Sequence, residues 1–215
     1  MSFPAYLQAN WPLLVQLTVQ HAVLVLVSVG IAAVIGVVLG VTTYRTQRPR
    51  TLVLAIAGVF LTIPSFALFG LLIAPFGLGF TPAVIALVMY ALLPVVRNTI
   101  TGLREVDSAV LESAVGMGMG RWRRLMRVEL PLAWPVILAG IRVAVLLDVG
   151  IAAIAAYVGG PGLGQQIFSG LDRIGFPVAL NLALSGTLGI ILIAIVLDAA
   201  LFAVGRLTMS RGIRG

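Results

Sequence analysis

The chain carries no charged side chain before Arg45 and none from Thr51 to Val96. No other feature limits its fold as much. A helix needs ~20 apolar residues to cross a bilayer, while a soluble domain has about a quarter of its residues charged. Here 10% of 215 residues are charged, 60% are hydrophobic and mean hydropathy is +1.14. That length holds roughly five spans of ~20 residues with their connections. The expected fold is an all-α integral membrane protein of about five transmembrane helices.

Missing residue types exclude much chemistry. Without Cys there is no disulfide, thiolate nucleophile or iron–sulfur ligand. All fourteen basic residues are arginine, so the phosphate-binding lysine of a P-loop and any Schiff-base lysine are absent. His21 is the single histidine, which rules out paired-histidine metal sites. If ATP is used, the ATPase is another chain. The net charge of +7 reads as a topology signal in loops, not as a nucleic-acid surface. With no basic region ahead of the first apolar run, that run is expected to be a retained helix.

The apolar runs place spans at about 20–44, 52–74, 82–103, 132–157 and 178–206. Residues 1–19 are expected as an outer segment, with Tyr6–Val19 an interfacial helix or the lead-in to span one. Pro75 to Pro82, with Gly77 and Gly79, reads as a tight turn. Twelve arginines then share one side: 45, 48, 50, 97, 104, 121, 123, 124, 127, 206, 211 and 214. Only Arg173 faces the other, and Arg142 lies inside span four. This bias puts the arginine-rich side in the cytoplasm, the N-terminus outside and a basic tail, 207–215, inside.

One cytoplasmic connection, 105–130, is large. Asp107 can cap a helix from Ser108 to about Met117. Gly116, Gly118 and Gly120 alternate with Met117 and Met119, which suits a sharp turn with a deformable apolar surface. A second helix from Arg121 would put Trp122, Leu125, Met126 and Glu129 on one face, and Pro131 should end it. Such a hairpin can lie on anionic lipid or dock a soluble partner. Three glycines favour docking.

Glu112-Ser113-Ala114, then Gly118 after three residues, then Val128-Glu129-Leu130-Pro131 after nine, resembles the cytoplasmic loop motif of binding-protein-dependent ABC importer permeases. Thr62–Gly70, Leu78–Ala86, Tyr90–Thr99, Gly116–Met119 and Val136–Arg142 resemble the osmoprotectant permeases for glycine betaine, carnitine and choline. The likeness covers about 18–206. It departs at Gly159-Gly-Pro-Gly-Leu-Gly164, where the family has Gly-Ala-Gly-Gly-Leu-Gly, and at Asp148, where it carries a neutral residue. The resemblance implies a type I importer permease fold for 20–206, in the cell membrane. In it Glu112, Ser113, Ala114, Gly118, Met119 and Gly120 couple to an ATPase. The partners implied are that ATP-binding subunit, a second identical or sister permease and an extracytoplasmic binding protein, with ATP and Mg on the ATPase and no cofactor here.

Charges at mid-span cost ~2.5–3.5 kcal/mol each on insertion scales. Arg142 and Asp198 lie at similar depth on antiparallel spans, about 16 and 12 Å from the arginine-rich side, and are expected as a structural ion pair. Asp148 has no obvious partner. It either lines a water-filled path that favours a cation, or bonds Asn181 or Ser185. Tyr90, Phe66, Phe69 and Tyr157 offer π faces to a quaternary ammonium, although ordinary packing is the simpler account. Asp148, Tyr90 and Tyr157 are the candidate path residues, and His21 is expected at the interface.

The function expected is uptake of quaternary ammonium osmoprotectants, with no catalysis by this chain. The alternatives are an importer permease for another small solute such as an amino acid, or a channel or structural membrane subunit. An intramembrane enzyme is poorly served by two carboxylates on different spans.

Overall fold

In the computed structural model, which describes residues 2–208, the first apolar run is one helix, α1 (Phe3–Thr43). At 1.5 Å per residue it is about 60 Å long, twice the ~30 Å hydrocarbon layer. Residues 3–19 thus run into the expected first span as one helix, with no break between them.

The second apolar run is broken. α2 (Gln47–Thr62) and α3 (Ser65–Phe76) meet at 99°. The cause is Pro64, because a residue preceding proline is driven out of the helical region and Ile63 is extended at ψ 127°. A break inside a membrane leaves carbonyls unpaired, and protein must satisfy them. The Tyr90 hydroxyl does so, donating to the Ile63 carbonyl at 2.8 Å. Tyr90→Phe should remove that bond alone and cost on the order of 1–2 kcal/mol. A thermal melt of the purified protein should show a lowered midpoint, and an unchanged midpoint would mean the carbonyl has another partner.

α4 (Phe80–Arg104) runs between α1 and α7 (Leu130–Ala152). Small residues let the three approach closely. A Cβ on Gly36 would lie 2.7 Å from Val95 Cγ1, and one on Gly140 would lie 2.7 Å from the Pro94 carbonyl. Tyr44, Leu103, Leu125 and Ala133 meet in one apolar cluster, so the end of α1, the end of α4 and the start of α7 lie together. The last helix, α9 (Ala179–Thr208), also finishes there, with Trp134 Nε1 donating to Thr208 Oγ1 at 2.7 Å. The turn before α4 sits at the opposite end, where Gly79 N–H donates to the Val158 carbonyl at 2.8 Å. The bent α2–α3 pair thus runs from one end to the other. Counted as one span beside α1, α4, α7 and α9, it brings the candidate crossings among the described residues from four to five.

The connection from α4 to α7 differs from expectation. After α5 (Ser108–Gly116), α6 (Arg121–Arg124) passes through a π-turn, Leu125–Glu129, directly into α7. Pro131 does not end the helix. It falls just past that turn, where Leu130 N–H bonds the Leu125 carbonyl five residues back. The expected shared face divides into two pairs, each four residues apart. Leu125 and Glu129 turn inward, while Trp122 and Met126 stay exposed. A 3₁₀ turn, Ile154–Val158, and α8 (Gly164–Leu171) connect α7 to α9. The expected basic tail, with Arg211 and Arg214, lies outside the described residues beyond Thr208.

Candidate coupling loop and intramembrane polar groups

Asp107 caps α5, accepting from the Ala109 N–H at 2.8 Å. The helix ends as a Schellman motif. Met119 N–H bonds the Ala114 carbonyl and Gly118 N–H bonds the Val115 carbonyl, which requires Gly118 at φ +75°. Among the described residues a Cβ on Gly116, Gly118 or Gly120 would meet nothing within 4 Å. The Gly118 constraint is thus its backbone conformation, and the space beside all three glycines is open to another molecule. Ala114 is buried, whereas Glu112 and Ser113 are exposed. Around them Val115, Met117, Trp122 and Met126 present an exposed apolar surface, Met117 at 70% and Trp122 at 69%.

Beneath this loop lies a polar hub that the sequence reading missed. Glu129, 1% exposed, accepts from the Tyr44 hydroxyl, from Arg45 Nη2 at 2.8 Å and from Arg124 Nε at 2.9 Å. One carboxylate therefore ties the end of α1 to α6 and to the start of α7. Burial, then the Glu129 bond, pushes Tyr44 up to about 12, so the phenol remains a donor at neutral pH. The shared face expected for Trp122, Leu125, Met126 and Glu129 divides here, with Leu125 and Glu129 inward.

Within the spans, Arg142 donates through Nε and Nη2 to the two oxygens of Asp198. The pair is partly open, at 44% and 30% side-chain exposure. Asp148 is sealed, at 0% exposure, and neither carboxyl oxygen has a hydrogen-bond partner among the described residues. Asn181 and Ser185 therefore do not bond it, and it lines no open path in this conformation. His21, expected at the interface, is fully buried. Its Nε2 lies 3.0 Å from the Val149 carbonyl, which accepts, so Nε2 carries the proton. The bond compensates a carbonyl freed where α7 tightens and Ala153 N–H turns to Gly150. Tyr90 is 2% exposed and committed to the α2–α3 break. Tyr157 is 62% exposed and meets Phe66 edge-on at 5.3 Å between centroids. Phe69 is buried in the main apolar cluster.

The family model described as binding-protein-dependent transport system inner membrane component matches residues 10–209. The osmoprotectant import permease protein OsmW of Salmonella typhimurium is 44% identical, over 97% of this chain and 98% of that one. The glycine betaine/carnitine/choline transport system permease protein OpuCB of Bacillus subtilis is 34% identical, over 98% and 95%. The choline transport system permease protein OpuBB of the same organism is 37% identical, over 91% and 88%. Among solved structures, a chain of the MetNI methionine ABC transporter in an inward-facing conformation superposes with a TM-score of 0.82. It is 23% identical, with 98% of this chain and 100% of that chain covered.

Proposed function

The chain belongs to the family of binding-protein-dependent transport system inner membrane components, and from that premise we propose that it carries quaternary ammonium osmoprotectants across the membrane. It is a permease subunit of an ABC importer, a transport component and not an enzyme. The solute class is inferred from its relatives' names, which include osmoprotectants, glycine betaine, carnitine and choline.

The observation that carries the coupling role is the loop. Its Glu112–Gly120 spacing is that of importer permeases, and its turn presents Met117 and Trp122 outward beside three unobstructed glycines. We assign this loop to the ATPase subunit, which holds the ATP and Mg. The arginine-rich end then faces the cytoplasm, with the N-terminus outside and the end of α9 inside. A binding protein delivers solute at the outer end, and closure of the ATPases moves α5 and α6 as a rigid body. A second permease, identical or sister, completes the path.

Two measurements test the reading. The tagged chain, extracted in mild detergent from cells expressing the whole operon, should retain a P-loop ATPase. Those cells should accumulate labelled glycine betaine or choline after osmotic upshift. Uptake of an unrelated amino acid alone would return the protein to the general class of importer permeases.

A further inference from the structure

The Arg142–Asp198 pair is poorly explained as a structural strut. A strut in a bilayer should be sealed, because an ion exposed to acyl chains is costly. The sealed acid on α7 is instead Asp148, while this pair stands partly open on the surface of the single subunit. Arg142 lies twelve residues into the 23-residue α7, about 18 Å from its start. Asp198 lies ten residues before the end of α9, about 15 Å from the same side. The pair is thus near mid-depth.

The geometry leaves capacity unused on the open side. Nε and Nη2 are engaged with Asp198. The other edge of the guanidinium, Nη1 with the second Nη2 hydrogen, makes no hydrogen bond among the described residues. A guanidinium holds a carboxylate by such an edge in bidentate fashion. Beside it Asp198 offers a negative charge with no hydrogens to donate. A fixed cation edge next to a fixed anion, at mid-membrane, complements a small zwitterion with carboxylate and quaternary nitrogen a few bonds apart. The neighbouring exposed residues on α7, Ala139 and Val143, are small enough to leave room.

We propose that Arg142 and Asp198 form a transient binding point for zwitterionic solutes, Arg142 taking the carboxylate and Asp198 the quaternary ammonium. This rests on the transport reading above and deepens it, because it separates betaine and carnitine, which have a carboxylate, from choline, which lacks one. The pair need not break for solute to bind.

The test is uptake into proteoliposomes holding the assembled transporter, with glycine betaine and choline measured on the same preparation. Three permeases are compared: wild type, Arg142→Gln, and Arg142→Gln/Asp198→Asn, which strands no charge. In both variants betaine uptake should fall at least about tenfold relative to choline uptake. A betaine-to-choline ratio unchanged from wild type, whether both rates fall together or neither does, would overturn the proposal and leave the pair structural. A wild-type preparation that takes up neither solute would instead overturn the transport reading, and this proposal with it.

Discussion

Gly118→Val is expected to abolish solute uptake while leaving the protein inserted at normal levels. The reason is local. Gly118 holds φ +75°, a region that costs an ordinary L-residue roughly 1–2 kcal/mol and in which a β-branched residue is an outlier. To escape it the chain must give up the two hydrogen bonds that end α5, Met119 to Ala114 and Gly118 to Val115. The turn then re-aims Met117 and Trp122, the most exposed apolar side chains of the loop. The transmembrane packing does not notice, since no atom of the described residues lies within 4 Å of a Cβ at that position. Asparagine tolerates the left-handed region, so Gly118→Asn separates two explanations. If conformation is what matters, Asn should retain most of the uptake that Val loses. If the ATPase must touch the glycine itself, Asn should fail as badly. Uptake and immunoblot of membranes from the same cells decide between them.

The second large effect is expected at Glu129. Its carboxylate is almost fully buried and accepts from three donors on two segments of chain. Glu129→Leu fills the volume but leaves the buried Tyr44 hydroxyl and Arg124 without their acceptor. Loss on the order of 3 kcal/mol follows from removing one side of a buried charged network. The Arg45 contribution is small, since that side chain is 39% exposed and remains solvated. Glu129→Gln, which keeps one oxygen as acceptor for both arginines but not the charge, should fall between. The measurement is the thermal midpoint of the purified permease. A Glu129→Leu midpoint equal to wild type would show that the arginines find water as good a partner.

Much of this architecture is written in long-range composition. Uncharged runs are legible because hydrocarbon excludes charge regardless of tertiary detail, and the arginines between them mark one end of the bundle. The cap at Asp107 is legible because it spans two residues. Depth along a helix is a residue count, which brings Arg142 and Asp198 to one level. What escaped the sequence depends on angle. A proline at 64 inside an apolar run does not by itself specify a 99° bend or that Tyr90 from another helix bonds the carbonyl freed there. The π-turn at Leu125–Glu129 adds one residue ahead of α7, and the face expected to hold Trp122, Leu125, Met126 and Glu129 together divides into an exposed pair and a buried one. His21 escaped for a similar reason. Its partner is a backbone carbonyl freed by a local tightening of α7, and no residue type signals that.

The most direct test of transport itself is ATP-driven uptake by the purified complex. The permease, its ATPase, any sister permease and the binding protein are reconstituted in vesicles, oriented so that the binding-protein side faces out. ATP is enclosed, and labelled glycine betaine and choline are supplied with the binding protein outside. Accumulation above the external concentration is predicted for at least one of the two, requiring enclosed ATP and lost with Gly118→Val. Equilibration without ATP, or accumulation unaffected by Gly118→Val, would contradict a permease driven through this loop.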